Sequence, residues 1–188
     1  MNGRSFFRRF GGLLNIIATC ICILPRGIRV FMLRIFRNTD GNLGFLIRYL
    51  LVKKLAKSCG DNVVIKPYVV LQRIENLSLG NNVSIHHFSY IDAEGEISIG
   101  DDVSIAHSSS ILTSNHVWKD ASMPIKYNPV EYGRVVIEDD VWIGCGSRVL
   151  AGTHIHKHSV VAAGAVVNKN IESHTVVGGV PARVLKRI

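Results

Sequence analysis

Four cysteines, Cys20, Cys22, Cys59 and Cys145, are too few and too irregularly spaced for a disulfide scaffold or a cysteine metal site. A reducing, cytoplasmic compartment fits such a chain. No apolar run reaches the ~20 residues that a bilayer span needs. The longest, Leu13 to Leu24 (LLNIIATCICIL), is stopped by Pro25. A secretory signal is disfavoured, because Pro25-Arg26-Gly27 is a poor cleavage site and more basic, apolar sequence follows. Acid is nearly missing from the first sixty residues, where Asp40 stands alone against eleven Lys and Arg. Residues 61–188 hold eleven bases against thirteen acids, so the net charge of +8 belongs to the N-terminal segment. A basic segment can meet nucleic acid or an anionic membrane surface. The apolar residues around these bases favour membrane, and no nucleic-acid partner is expected.

What the chain does have is a period. From Ile137 an aliphatic residue returns every six positions, at Ile143, Val149, Ile155, Val161 and Val167. Shorter runs keep the same step upstream: Ile65 and Leu71, then Leu79, Ile85 and Ile91, then Ile99, Ile105 and Ile111. Two extra residues sit at each of the first two breaks, and a long insertion precedes Ile137. Two places before each late ladder residue stands a small or β-branched one: Val135, Val141, Ser147, Thr153, Ser159, Ala165. A six-residue repeat is neither helical nor a simple strand alternation, and it predicts a parallel β-helix. No single repeat can bury its aliphatic residue alone, so the repeats must stack into an all-β, one-dimensional core.

The chain divides at about residue 59. Residues 1–59 form a basic, amphipathic, helical segment. It opens with Arg4, Arg8 and Arg9 among Phe6, Phe7 and Phe10. Arg26, Arg29, Arg34 and Arg37 then alternate with Ile28, Val30, Phe31, Leu33, Ile35 and Phe36. That alternation reads as a helix with snorkelling arginines. After a turn at 38–42, a second amphipathic segment, Leu43 to Lys57, carries Arg48, Lys53, Lys54 and Lys57. These helices either lie on an anionic membrane or cap the open end of the solenoid. Residues 60–188 form the repeat domain, with a phase-breaking loop at 113–133 that carries Pro124 and Pro129, and a C-terminal tail at 168–188. A long loop on a solenoid is often its binding element.

Three stretches are more specific than the period: Val141-Trp142-Ile143-Gly144, Ala163-Gly164-Ala165-Val166-Val167 and Gly179-Val180-Pro181-Ala182-Arg183-Val184. With the repeats they resemble the hexapeptide-repeat acyltransferases, in the branch of the sugar and serine O-acetyltransferases that includes the maltose and galactoside enzymes. The resemblance runs from about Ile65 to Ile188. It implies a left-handed β-helix with three repeats per triangular coil, acetyl-CoA as donor substrate, no metal, and a homotrimer with its clefts between neighbouring chains.

Residue by residue, the resemblance makes His116, in Ser114-Asn115-His116, the catalytic base. The chemistry suits imidazole, because an acceptor hydroxyl must lose its proton as it attacks the thioester carbonyl. On the acceptor side, His86 stands where galactoside-type enzymes carry asparagine, and Glu94 where they carry aspartate. Val117-Trp118 replaces the usual proline after the base, which predicts a reshaped saccharide pocket. On the donor side, Trp142 lines the cleft, the backbone N–H at Cys145 helps hold the thioester oxygen, and Ala163 offers close approach to the pantetheine arm. Asn168 and Lys169 match a Thr-Lys pair, and Lys169, Arg183 and Lys186 are expected to meet coenzyme A phosphates.

The expected function is acetyl transfer to a saccharide hydroxyl in surface-polysaccharide biosynthesis, by an enzyme in the cytoplasm or peripheral on the inner face of the membrane. Serine or another small molecule is an alternative acceptor. A zinc lyase like the γ-type carbonic anhydrases is another reading, since His86, His87, His107, His116, His154, His156 and His158 are plentiful. Three would have to converge on one metal, and the alternation of His154, His156 and His158 near one turn suits exposed positions better. A non-catalytic scaffold leaves His116 and the donor motifs unexplained.

Overall fold

The protein was described from a computed structural model. It covers residues 3–188, with side chains described at position 7 and from position 9 onward, so the expectations for Arg4, Phe6 and Arg8 lie outside the described side chains. Three helices open the chain: α1 (Gly3–Ile21), α2 (Arg26–Ile35) and α3 (Gly41–Leu55). Pro25 separates the first two and serves as the N-cap of α2, where its lost N–H costs nothing. Asp40 is the N-cap of α3, its carboxylate accepting from Gly41 N at 2.7 Å. Lys53 and Lys54 sit in the last turn of α3, the favourable end of the helix dipole for cations.

The solenoid has three parallel sheets. The first contains Leu77–Leu79, Ile97–Ile99 and Val135–Ile137, the second Ser84–Ile85, Ser104–Ile105 and Val141–Ile143, the third Tyr90–Asp92, Ser110–Leu112 and Arg148–Val149. Register gives the coil length directly. Ser84 lies opposite Ser104, so the early coils hold twenty residues, three hexapeptides plus the two-residue insertion read from the sequence. Trp142 lies opposite Val160, so the later coils hold eighteen. Between them Ser104 pairs with Trp142, a coil swollen by the long loop. The architecture is the left-handed parallel β-helix of hexapeptide repeats.

Both predicted interior positions are filled. Ile85, Ile105, Ile143 and Val161 stack fully buried along one line, and Val135, Val141, Ser147, Thr153, Ser159 and Ala165 are buried beside them. The corners need left-handed backbone. From the first to the second sheet, that residue is Asn62, Asn82, Asp102 and Asp140 on successive coils, all at positive φ. Asn and Asp tolerate this region best among residues with a side chain. The same corner carries a polar ladder, in which Asn81 N donates to Asp101 Oδ1 at 2.6 Å and Asp101 N to Asp139 Oδ1 at 2.7 Å.

The segment expected to be a second amphipathic helix differs from that reading. In α3, Arg48, Tyr49, Leu50, Leu51, Val52 and Leu55 are all buried and join the solenoid core. Arg48 does not snorkel. Its Nε donates to Ile65 O at 2.8 Å, and its Nη1 to Phe36 O at 2.8 Å and Thr39 O at 2.6 Å, gathering the carbonyls that end α2. α3 is therefore the cap of the first coil. α1 and α2 pack on it and keep Leu13, Ile16, Ile28, Phe31 and Ile35 exposed. No single helix among the described residues is long and apolar enough to cross a membrane.

Candidate active site

The triangular cross-section sorts the candidate residues by edge. The edge from the third sheet to the first carries Glu94 and the strand leading to His116, both expected on the acceptor side. There Asp92 ends one strand, its Oδ1 accepts from Glu94 N at 3.2 Å, and Thr113 one coil above donates to Asp92 O at 2.7 Å. The Thr113 hydroxyl also accepts from Gly95 N at 2.8 Å, so the edge is tightly tied. The long loop leaves this edge as an antiparallel arm, with Ser114–His116 paired to Val130–Tyr132 and His116 opposite Val130. Val117 N donates to Pro129 O at 2.9 Å, and buried Asn128 pins the tip by accepting from Asp120 N and donating to its carbonyl. His116 is thus an exposed imidazole at the end of a hydrogen-bonded strand, with no side-chain partner among the described residues.

Glu94 is not an open acid. Arg73, from the coil below, donates from Nε to its Oε2 at 2.6 Å. Sequence reasoning missed Arg73, which occupies the two-residue insertion. Only the twenty-residue coil length places it directly under Ala93 and Glu94.

Most of the residues expected to bind the donor gather elsewhere, Asn168 and Lys169 excepted. Trp142 projects from the second sheet, 55% exposed. The edge from the second to the third sheet then stacks His86 and His87, His107, Cys145 and Ala163 on successive coils. Backbone bonds tie them: Ser108 N to His87 O at 2.9 Å, Gly146 N to His107 O at 3.0 Å, Gly164 N to Cys145 O at 2.8 Å. A Cβ on Gly144 would lie 2.6 Å from Ala163 N, so only glycine lets these two coils close up beside Trp142. Arg183 and Lys186 lie exposed on the terminal strand Arg183–Arg187, antiparallel to Thr175–Gly178. Asn168 and Lys169 are exposed one side away, on the edge from the third sheet to the first.

His86 belongs to the donor edge, not beside Glu94. Burial first, then the nearby basic groups of Lys66, His87 and His107, hold its imidazole below the ordinary value. It therefore offers a neutral ring, one N–H donor and one acceptor, at neutral pH. The third sheet separates His86, Cys145 and Ala163 from Glu94 and His116. One side of a six-residue repeat spans roughly 15–20 Å, whereas reacting atoms must come within about 3.5 Å.

Among the histidines read for metal binding, two converge with an acid. Glu138, His154 and His156 bring ligand atoms within 4.8 Å of one another, with Glu138 Oε1 lying 2.8 Å from His154 Nε2 and 3.1 Å from His156 Nδ1. His158 stands apart and contacts Asp140. The cluster lies on the first sheet and its following corner, and includes neither His116 nor a donor residue.

The sequence model of the family Bacterial transferase hexapeptide (six repeats) matches residues 134–169. Those residues are the late coils of the solenoid, so the family's repeats coincide with part of the observed fold. A maltose O-acetyltransferase from Clostridium difficile 630 superimposes on this hexapeptide-repeat fold with a TM-score of 0.78, at 29% identity over 87% of this chain and 86% of its own. A hexapeptide-repeat acetyltransferase from Vibrio cholerae O1 biovar eltor, solved with acetyl coenzyme A, reaches 0.76 at 28% identity over 86% of both chains. A galactoside acetyltransferase in complex with coenzyme A reaches 0.77 at 26%, over 87% of this chain and 80% of its own. By sequence, a 2,3,4,5-tetrahydropyridine-2,6-dicarboxylate N-acetyltransferase of Staphylococcus aureus (strain bovine RF122 / ET3-1) is 40% identical over 72 residues, 38% of this chain and 30% of that one. The chain thus spans less than a third of the length of the curated relatives it matches.

Proposed function

We propose that this hexapeptide-repeat protein is an acetyl-CoA-dependent O-acetyltransferase that modifies a saccharide hydroxyl in surface-polysaccharide biosynthesis. The observation that carries the reading is the placement of an exposed imidazole, His116, at the end of the paired arm strand on one edge, with a glycine-opened column beside Trp142 on the other. The acetyl-CoA and coenzyme A complexes of its structural neighbours support the choice of donor.

The separation across the third sheet gives the assembly its function. A homotrimer would set the His116 edge of one chain against Trp142, Cys145 and Ala163 of the next. His116 would take the acceptor proton as the hydroxyl oxygen attacks the thioester carbonyl. The Cys145 backbone N–H would stabilise the developing oxyanion. Collapse of the tetrahedral intermediate would expel the coenzyme A thiolate, which the His116 imidazolium protonates. Arg183, Lys186 and Lys169 would hold its phosphates. The thiol of Cys145 is not needed as a nucleophile, since direct transfer requires none.

Among acceptors, lipid-linked saccharide precursors fit the exposed apolar side of α1 and α2, which would keep the enzyme peripheral on the inner membrane face. The Staphylococcus aureus relative favours a second reading, N-acetyl transfer to an amine. Assaying thiol release from acetyl-CoA against nucleotide sugars, lipid-linked sugars, free glycosides and amino acids tests both. An ester product is cleaved by hydroxylamine, and an amide is not.

A further inference from the structure

Where α2 meets the third sheet of the first coils, the fold leaves a partly open cavity of about 350 Å³. Five arginines line it, Arg26, Arg34, Arg37, Arg48 and Arg73, against a single acid, Glu75. Arg26 is paired to Glu75 at 2.8 Å, and Arg73 points its Nε at Glu94. Arg34 and Arg37 have no carboxylate partner among the described residues. Arg48 is 1% exposed, and its Nη2 is buried without any hydrogen-bond partner. Each such nitrogen carries donors and cannot shed its charge. A buried guanidinium with an idle nitrogen, beside two arginines that no carboxylate neutralises among the described residues, asks for an anion.

The surroundings say which kind. α2 turns Arg26 and Arg34 to the cavity, the single helical turn after it (Phe36–Asn38) adds Arg37, and Ile28, Phe31 and Ile35 stay exposed, so a charged cradle adjoins an apolar surface. Arg73 connects the cradle to the acceptor edge. Its coil is followed by that of Glu94 and then by that of His116, and coils stack at about 4.8 Å. The cavity rim therefore lies two coil steps, roughly 10 Å, below Thr113, where the arm that carries His116 leaves the edge. We propose that this arginine cavity binds the phosphate or pyrophosphate group of an amphiphile whose apolar part lies on α2. That the amphiphile is the acetyl acceptor rests on the acetyltransferase reading; the binding site itself does not.

The test uses the full chain and no acetyl-CoA. Thermal unfolding is followed with inorganic pyrophosphate, and sedimentation with phosphatidylcholine vesicles, with and without phosphatidylglycerol, at low salt. Arg34→Gln/Arg37→Gln removes exposed side chains and spares the fold, and Lys119→Gln/Lys126→Gln removes equal charge from the loop arm. Pyrophosphate should raise the melting temperature of the wild type but not of the arginine double variant. Vesicles with phosphatidylglycerol should bind the wild type, lose it to pyrophosphate, and bind the arginine variant at least tenfold more weakly than the lysine variant. Equal loss in both variants, or no response to pyrophosphate, would overturn the site. Pyrophosphate protection without vesicle binding would overturn the amphiphile as its source.

Discussion

Arg73 Nε donates to Glu94 Oε2 at 2.6 Å across two successive coils, and Arg73 does so from a left-handed backbone, φ 49°. A non-glycine residue keeps that conformation only where its surroundings hold it. Arg73 lines the arginine cavity, so its pair with Glu94 joins that cavity to the acceptor edge.

Glu94→Gln keeps the side chain's size and removes the charge that Arg73 holds. Glu94 is the acid expected to contact the saccharide, so the acceptor KM should rise several-fold while that of acetyl-CoA stays put. Steady-state kinetics with each substrate varied separate the two. An equal rise in both would remove Glu94 from the acceptor side.

His86 supplies the pH dependence. Its folded value is depressed, chiefly by burial, so the unfolded chain takes up the proton first as pH falls. The folded state must then lose stability as pH drops through about 6.5, the ordinary imidazole value. Comparing denaturation midpoints of wild type and His86→Asn between pH 7.5 and 5.5 should show the wild type losing ground. Parallel curves would mean that His86 titrates freely.

Two glycines separate close approach from backbone hand. A Cβ on Gly100 would collide with Asp139 Oδ1 and sit 2.8 Å from Asp139 N, whereas Gly146 (φ +68°) has open space around it. Gly100→Ala should therefore cost more, about 1–3 kcal/mol from overpacking, and Gly146→Ala about 1–2 kcal/mol from the left-handed strain alone. Urea midpoints read the order, and a reversed order would contradict the tight stacking at this corner.

The core of this fold was open to sequence reading because a solenoid is one-dimensional. Ile143, Val149 and Ile155 fall in the bore by counting six, and the two-residue insertions show directly as the twenty-residue coil. Arg48 hid its role, since a basic residue within an apolar helix reads as surface until Ile65 O and Thr39 O are seen to take its donors. The division of the site was hidden too. His86 and Glu94 are eight residues apart in sequence yet stand on different edges, because a corner and a strand intervene. Only the coil length and the triangular section separate them, and no spacing rule for catalytic pairs contains either.

The most direct measurement is acetyl-CoA-dependent thiol release with the saccharide panel, for wild type and His116→Ala, with acetyl-CoA affinity measured alongside. The wild type should turn over at least one saccharide, and His116→Ala should lower that turnover by roughly 100-fold or more, as loss of a general base does, with acetyl-CoA binding nearly unchanged. Near-normal turnover in His116→Ala, or a wild type that does not bind acetyl-CoA, would contradict the account.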